Sequence, residues 1–355
     1  MRKPPIHPQC DIAPSVGKGN PMARPDSSRG PLAAHLLTVV ASLASLAMVA
    51  CGGGGSGDTT TVASASGSAT TGVGCSYSYS AFNASPSVNA SSTVSWSCDS
   101  GSRTLSANGI PDHEVGTFPN PGNPNYIPAR TVSATFSLSP SYSGSVTPLG
   151  GPAGVLSFML NGVKTDPGTG GSCDDTGTVC SLGDPSGGWS IEALTQSYFS
   201  FGTDDNNAHV QPDGVYHYHG MAEGLITRLG GSSARMTLIG WAADGFPVYA
   251  RYGHTVANDA TSPLKVMTGS YRLVTTVSAT RPASTTYAPG TFLQDWQYVA
   301  GSGDLDECNG RSGVAPEFPG GIYHYYATDT YPFLQRCVKG AVTAGSMPPG
   351  PPPTT

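Results

Sequence analysis

Apolar residues recur along this chain in short runs separated by Gly, Pro, Ser and Thr, and no long stretch repeats every 3.6 residues. Short apolar runs bounded by turn residues predict β-strands. The clearest runs are 94–98, 132–138, 154–160, 236–241, 246–252, 270–274 and 296–300. The pattern therefore predicts a mainly β protein with long Gly/Pro-rich loops.

Two local signals refine this picture. The runs 236–241 and 246–252 flank Asp244 and Gly245, and Asp-Gly between apolar runs is typical of a tight hairpin turn. One short helix is predicted around 190–196. With so little helix, we expect a single β-sandwich-like domain.

The longest apolar run, residues 32–50, differs in kind because it follows arginines and ends at Cys51, before four glycines. A charged front, an apolar middle and small residues before a cut are typical of a secretory signal. The Cys at the cut resembles a bacterial lipoprotein signal. We expect residues 1–50 to be a signal peptide, with Met22 as an alternative start, and Cys51 to be lipidated. A membrane-spanning helix is the alternative, since the run approaches the required ~20 residues.

Composition divides the rest of the chain into three parts. Residues 51–74 are almost all Gly, Ser, Thr and Ala, which predicts a flexible linker after the lipidated Cys. The Pro-rich residues 346–355 predict a disordered tail. Residues 75–345 lie between them and are enough for one large core, so we expect them to form the domain.

Net charge bears on the choice of partner. Residues 1–50 hold 5 of the 17 Lys plus Arg and 2 of the 23 Asp plus Glu, which leaves 12 against 21 and a formal charge of −9. Nucleic acid is therefore not an expected partner. Membrane attachment would come from the lipid on Cys51. Such an anchor predicts the bacterial cell envelope, at the outer membrane or cell surface, and the sequence indicates no particular protein or glycan partner.

Six cysteines follow Cys51, and an even number in an exported chain predicts disulfides. Fifteen connectivities are open to six cysteines. Nearest-neighbour pairing closes the shortest loops and joins Cys75 to Cys98, Cys173 to Cys180, and Cys308 to Cys337. A structural zinc site is the competing interpretation, but the chain has no Cys-x-x-Cys pair.

Two similar motifs carry the candidate chemistry: Tyr-His-Tyr-His at 216–219 and Tyr-His-Tyr-Tyr at 323–326. Each follows a Gly and a β-branched residue, which predicts a short strand leaving a turn. Side chains alternate between the faces of a strand, so His217 and His219 lie on one face, roughly 6 to 7 Å apart at Cα. Imidazoles at that spacing can bind one ion.

Two further histidines extend this candidate site. His209 lies shortly before His217, and His324 takes the place of His217 in the second motif. If the two motif strands pair or face each other, the imidazoles meet in one place, and imidazole ligands suit copper or zinc. The alternative is that these Tyr and His side chains only pack within their strands.

An acidic segment offers a second candidate site. Its members are Asp304, Asp306 and Glu307. They could bind calcium through oxygens, although they do not match the twelve-residue helix-loop-helix pattern. The alternative is a structural loop in which Arg311 pairs with the acids. Asp112 and His113, in a turn-rich segment, predict a surface loop, with a further metal ligand or an acid–base group as the alternative.

With these segments in view, the chain resembles the bacterial family of secreted proteins named after its YHYH motif. The collinear segments include NGIPDHEVGTFPNPGNPN at 108–125, NAHVQPDGVYHYHG at 207–220, GSGDLDECNGR at 301–311 and GIYHYYATDTYPFLQRCVKG at 321–340. The resemblance implies no settled activity. It implies that His209, His217 and His219, together with the acidic segment, matter as a group.

An envelope-anchored, metal-binding lipoprotein is therefore the leading hypothesis. One alternative is a metal-dependent secreted enzyme, hydrolytic or redox, that uses the same histidines with one coordination position open to water. Another is a glycan- or protein-binding adhesion module with Tyr216, Tyr218 or Trp296 exposed. The sequence has no nucleophile elbow, His-Glu-x-x-His or phosphate-binding loop, so it specifies no reaction.

Overall fold

The computed structural model describes residues 69–149, 155–342 and Gly345. Strands dominate this part of the chain, as the sequence predicts, and its helices are α1 (Glu223–Arg228) and a 3-10 helix (Leu293–Asp295). Neither is long and apolar enough to cross a membrane. The predicted signal with its membrane-helix alternative, Cys51, most of the linker and the Pro-rich tail lie outside the described residues.

Two large sheets form most of the domain, and their strands are numbered in chain order. The first is antiparallel and contains β1 (Ser76–Asn83), β2 (Ala90–Cys98), β3 (Ser102–Ala107) and β4 (Val132–Ser137). The second is mixed and runs from edge to edge through β11 (Ala208–Val210), β12 (Tyr216–Tyr218), β7 (Lys164–Thr165), β6 (Ser157–Met159), β13 (Leu238–Ala242), β14 (Pro247–Tyr249), β20 (Phe318–Tyr326) and β19 (Gly310–Ala315).

Smaller sheets cover the loops. One contains β8 (Ser172–Cys173), β9 (Cys180–Ser181) and β10 (Trp189–Ser190). The two-stranded sheets pair β15 (Tyr252–His254) with β16 (Leu264–Val266), β17 (Tyr271–Leu273) with β18 (Trp296–Tyr298), and β5 (Tyr142–Pro148) with β21 (Cys337–Gly340).

The two large sheets pack through aromatic side chains. β2 alternates exposed Ser and Thr with buried residues, as a strand with one solvated face must. Its Trp96 lies 5.6 Å from Phe136 of β4, and Phe136 lies 6.3 Å from Phe158 of β6 in the second sheet. The Trp96 indole donates to the Leu160 carbonyl at 2.9 Å. The shared core makes the domain sandwich-like.

The eight-stranded sheet consists of two halves with the same topology. From its centre outward, one half runs β6, β7, β12, β11 and the other β13, β14, β20, β19. β6 pairs antiparallel with β13 at the centre, while β12 and β20 pair in parallel with β7 and β14. The motif strands β12 and β20 are therefore separated by four strands. The expectation that they pair is wrong, because each motif pairs within its own half.

Most local predictions are confirmed. The 236–252 hairpin forms as β13 and β14, with Gly245 at φ 89°, where a side chain would be strained. The helix predicted at 190–196 is wrong. Ile191 instead pairs with Phe292 and donates its N–H to the Gly171 carbonyl at 2.9 Å, so the backbone there is extended.

All three predicted disulfides are present, Cys75–Cys98, Cys173–Cys180 and Cys308–Cys337. Each closes a short loop, and such a bond typically contributes about 2–4 kcal/mol to stability by restricting the unfolded chain. Short loops place these bonds toward the low end of that range. The disulfide framework ties the loops to the sheets.

Candidate metal centre

A hairpin at one edge of the eight-stranded sheet brings three histidines together. β11 and β12 pair antiparallel with His209 directly opposite His217, and His219 follows on the same face of β12. The His219 N–H donates to the Asn207 carbonyl at 2.8 Å, which continues the pairing past the end of β12. All three imidazoles consequently project to one side of the hairpin.

The three imidazole rings are mutually close. Their centroids lie 4.6 to 4.7 Å apart in every pair, and their candidate ligand atoms lie within 4.8 Å of one another. The Nε2 atoms of His209 and His219 are 3.1 Å apart. Two nitrogens of a tetrahedral zinc site, with Zn–N of about 2.0–2.1 Å, are about 3.3 Å apart. Among the described residues, this is the one cluster of His, Cys, Asp or Glu with such spacing.

Backbone carbonyls orient two of the rings. His209 Nδ1 lies 2.7 Å from the Phe201 carbonyl oxygen, and His217 Nδ1 lies 3.3 Å from the Val215 carbonyl oxygen. A carbonyl oxygen can only accept, so Nδ1 carries the proton in each ring and Nε2 presents a lone pair. This arrangement is typical of metal-binding histidines, whose second nitrogen is held by the protein.

Burial keeps the imidazoles in the neutral form that binds metal. His217 and His219 are each 1% exposed, and His209 is partly buried. Burial lowers the pKa of His209 and holds the pKa of His217 and of His219 well below the usual histidine range, with neighbouring histidines adding to the effect. The three rings are therefore uncharged at neutral pH.

On the opposite face of β12, two buried tyrosines make hydrogen bonds to polar side chains. We call these contacts the polar anchor. Tyr216 donates its hydroxyl to Asp204 at 2.7 Å, and the Tyr218 hydroxyl lies 2.6 Å from His113 Nε2. Asn161 donates to the same Tyr218 oxygen at 2.9 Å. Both tyrosines are buried. They hold the motif strand in place, and the exposed tyrosines expected of an adhesion module are not observed.

Two further expectations about exposure are corrected. Asp112 and His113 are buried, because Asp112 accepts hydrogen bonds from the Tyr79 hydroxyl at 2.6 Å and from Arg228 at 2.8 Å. Trp296 is half-buried and stacks on Tyr331, with ring centroids 4.2 Å apart. The turn-rich segment around Asp112 therefore braces the tyrosine face instead of forming a surface loop.

His324 does not join the other three histidines. It lies on β20, in the other half of the sheet, and is fully buried. Its Nδ1 lies 2.9 Å from the Ile322 carbonyl oxygen and its Nε2 lies 2.8 Å from the Tyr326 hydroxyl. The prediction of a four-histidine site thus reduces to three, since both nitrogens of His324 already have protein partners.

The acidic segment is built into the fold. Asp304 accepts from Lys265 at 2.5 Å, and Glu307 accepts from Lys339 at 2.6 Å. Asp306 accepts from the Tyr323 hydroxyl at 2.8 Å and caps the Cys308 N–H at 2.9 Å. The three carboxylates face different donors, which supports the structural alternative over calcium. Two lysines pair with the acids in place of Arg311, whose guanidinium donates to the His254 carbonyl.

Two charged residues beside the histidines escaped the sequence-based prediction. Lys164 lies opposite His217 on β7, and its Nζ is 3.8 Å from a carboxylate oxygen of Asp166. Both side chains are buried. Burial raises the pKa of Asp166 to about 7, against the opposing effect of Lys164. The available signal was two charges spaced by two residues, Lys164 and Asp166, shortly after the Asn161-Gly162 turn between β6 and β7.

Comparison with known proteins gives one match. A family model described as YHYH protein matches residues 133–340, a span that contains the histidine cluster and the second motif. No curated protein matches the chain, and no solved structure matches it. The match covers more than half of the chain.

Proposed function

The chain belongs to the YHYH protein family, and we propose that it binds a transition-metal ion, zinc or copper, through His209, His217 and His219. The observation that carries this proposal is the convergence of three neutral imidazoles, two buried and one partly buried, on one side of a hairpin. The Nε2 lone pairs of His209 and His217 face the cluster, and buried lone pairs without a donor are costly. A soft or borderline cation satisfies all three at once.

The donor set supports these two metals over others. Imidazole nitrogen suits zinc and copper, whereas calcium and magnesium prefer several oxygen ligands. Carbonyls hold Nδ1 of His209 and His217, so their Nε2 atoms are ready to coordinate without rearrangement. Because His217 and His219 are almost completely buried, we favour ion binding over turnover of a large substrate.

Elemental analysis of the purified full-length protein tests the proposal. We expect about one equivalent of zinc or copper in the wild type and none above background in His217→Ala/His219→Ala. His324→Gln, which changes the matching histidine of the second motif, serves as the control and keeps the metal. Equal metal content in wild type and the double variant would refute the proposal.

We also infer that the domain acts outside the cytoplasm, held at the cell envelope by a lipid on Cys51. The three disulfides support an oxidising compartment. Replacement of Cys51 by Ser, followed by fractionation of cells, tests the anchor. We expect the variant to leave the membrane fraction, and an unchanged distribution would contradict the inference.

A further inference from the structure

We propose that the carboxylate of Asp166 is the fourth protein ligand of the histidine site. The inference rests on the metal binding proposed above and deepens it. It adds an anionic oxygen to three neutral nitrogens, so that the protein itself balances part of the charge of a buried divalent ion.

Strand register places Asp166 next to the histidines. β7 runs parallel to β12, with Lys164 opposite His217, and the Asp166 N–H donates to the Tyr218 carbonyl at 2.9 Å. Alternation along the strand then puts Asp166 on the histidine face, one strand away from His219, where neighbouring strands lie about 4.8 Å apart. The backbone of Pro167 lies beside the His219 ring. The chain from Asp166 onward therefore borders the site, and because the Asp166 carboxylate lies outside the 4.8 Å cluster of imidazole nitrogens, it would reach the ion by a side-chain rotation.

Asp166 has an unmet need that a cation would meet. Its side chain is buried, and its Oδ1 has no hydrogen-bond partner within the described ranges. The carboxylate accepts a backbone hydrogen bond from Gly168, and its Oδ2 is 3.8 Å from Lys164 Nζ, which is longer than a hydrogen bond. A buried carboxylate oxygen without a partner is costly, and in native proteins it usually indicates a water, an ion or a functional role.

The second half of the sheet shows what a side chain at this position reaches. Tyr249 on β14 occupies the place of Asp166, because it follows the hairpin turn by the same number of residues and pairs with Tyr326. Its ring centroid lies 5.3 Å from that of His324. A residue at this position thus faces the motif histidine.

In the first half, the positions around His217 carry side chains that can bind a metal. In the second half, the equivalent positions around His324 carry other residues. The first half has His209, His219 and Asp166 around His217. The second has Arg311, Tyr326 and Tyr249 around His324. Asp166 therefore belongs to a set of four ligand-type side chains that is present in the first half and absent from the second.

A simpler role for Asp166 would be to neutralise Lys164. The two roles differ in the effect of Asp166→Asn on metal affinity, which falls only if Asp166 is a ligand. If Asp166 is a ligand, removal of the nearby positive charge leaves zinc affinity unchanged or increases it. If Asp166 only serves Lys164, Asp166→Asn and Lys164→Met both leave the metal site as it is.

The test measures zinc affinity, by competition with a chromophoric chelator, and the visible spectrum of the cobalt(II) form of the full-length protein. We expect Asp166→Asn to weaken zinc binding by about tenfold or more and to change the cobalt(II) absorption bands. Asp213→Asn is the matched control. Asp213 is exposed in the turn between β11 and β12 and also acts on Lys164 through its charge, and we expect its variant to stay within about threefold of wild type.

Thermal unfolding separates a ligand from a structural residue. Asn takes the neighbouring carboxylate away from buried Lys164, so the metal-free variant should unfold at or below the wild-type temperature, and the distinguishing effect is that its stabilisation by zinc shrinks. Wild-type zinc affinity and cobalt(II) spectrum in Asp166→Asn would overturn the inference. A wild-type protein that binds neither metal would instead refute the proposed function, and this inference with it.

Discussion

The two halves of the eight-stranded sheet use the same polar anchors on the tyrosine face of their motif strands. Tyr216 donates to Asp204 at 2.7 Å in the first half, and Tyr323 donates to Asp306 at 2.8 Å in the second. In each half the aspartate also caps the hairpin backbone. The anchor is therefore a structural feature that both halves share.

The histidine faces of the two halves differ. In the first, His209, His217 and His219 direct ring nitrogens toward one another. In the second, the Tyr326 hydroxyl bonds to His324, and the Arg311 guanidinium lies 5.6 Å from the Tyr326 ring centroid. The comparison teaches that one framework supports either a metal-type cluster or a closed hydrogen-bonded core. A few side chains beside the histidine that the two halves share, His217 or His324, distinguish the two arrangements.

The largest expected effect separates the two motif histidines. His217→Ala should lower zinc affinity by at least about a thousandfold, because only two of the three imidazoles remain. His324→Ala should keep zinc binding and lower the free energy of unfolding by about 2–4 kcal/mol, since it leaves a buried cavity and removes the acceptor of the Tyr326 O–H. Zinc titration and urea unfolding of both variants test this difference. Equal zinc affinity, or an equal loss of zinc binding, in the two variants would contradict it.

Removal of the aspartate from the polar anchor should lower the free energy of unfolding by a similar amount in both halves. Asp204→Ala and Asp306→Ala each remove the acceptor of a buried tyrosine and a backbone cap, and we expect each to cost about 2–4 kcal/mol. Zinc affinity should fall with Asp204→Ala and remain with Asp306→Ala. Urea unfolding with zinc titration tests this, and a loss of zinc binding in both variants would show that the halves are not independent.

A third prediction transfers the ligand-type side chains of the first half to the equivalent positions of the second half. Arg311→His/Tyr326→His/Tyr249→Asp gives the second half the ligand types of the first, and we expect a second, weaker zinc equivalent. Native mass spectrometry counts the bound ions. The control is Tyr249→Asp alone, which should keep one zinc. A triple variant that folds and still binds one zinc would mean that backbone differences, and not these side chains, distinguish the halves.

The smallest expected effect concerns pH. Burial lowers the pKa of His324 to about 4, against about 6.5 in the unfolded chain. The unfolded state binds a proton first, so the stability contribution is complete above pH 6.5 and is lost as pH falls toward 4, by at most about 3 kcal/mol. Urea unfolding of metal-free His324→Gln between pH 4 and 7 should show a shallower pH dependence than wild type, and parallel curves would contradict this assignment.

Local features of the fold could be predicted from the sequence because they depend on neighbours in the chain. The Asp244-Gly245 turn, the nearest-neighbour disulfides and the shared face of His217 and His219 follow from short-range rules. The short helix α1 was missed, because its buried residues are adjacent in sequence and show no helical period.

Long-range features could not be predicted in the same way. The place of His324 depends on which strands pair across the sheet, and similar motifs suggested pairing with each other when each pairs within its own half. Asp166 follows a two-residue strand and precedes Pro-Gly, so it reads as a loop residue until the parallel register is known. Asp112 is buried by partners that are distant in the chain.

The most direct test of this account is anomalous diffraction from a crystal of the zinc- or copper-loaded protein, measured at the metal's absorption edge. We predict one strong peak in contact with Nε2 of His209, His217 and His219, and no peak beside His324. A metal-loaded crystal with its peak at the acidic segment, at His324, or anywhere other than the three histidines would contradict the account.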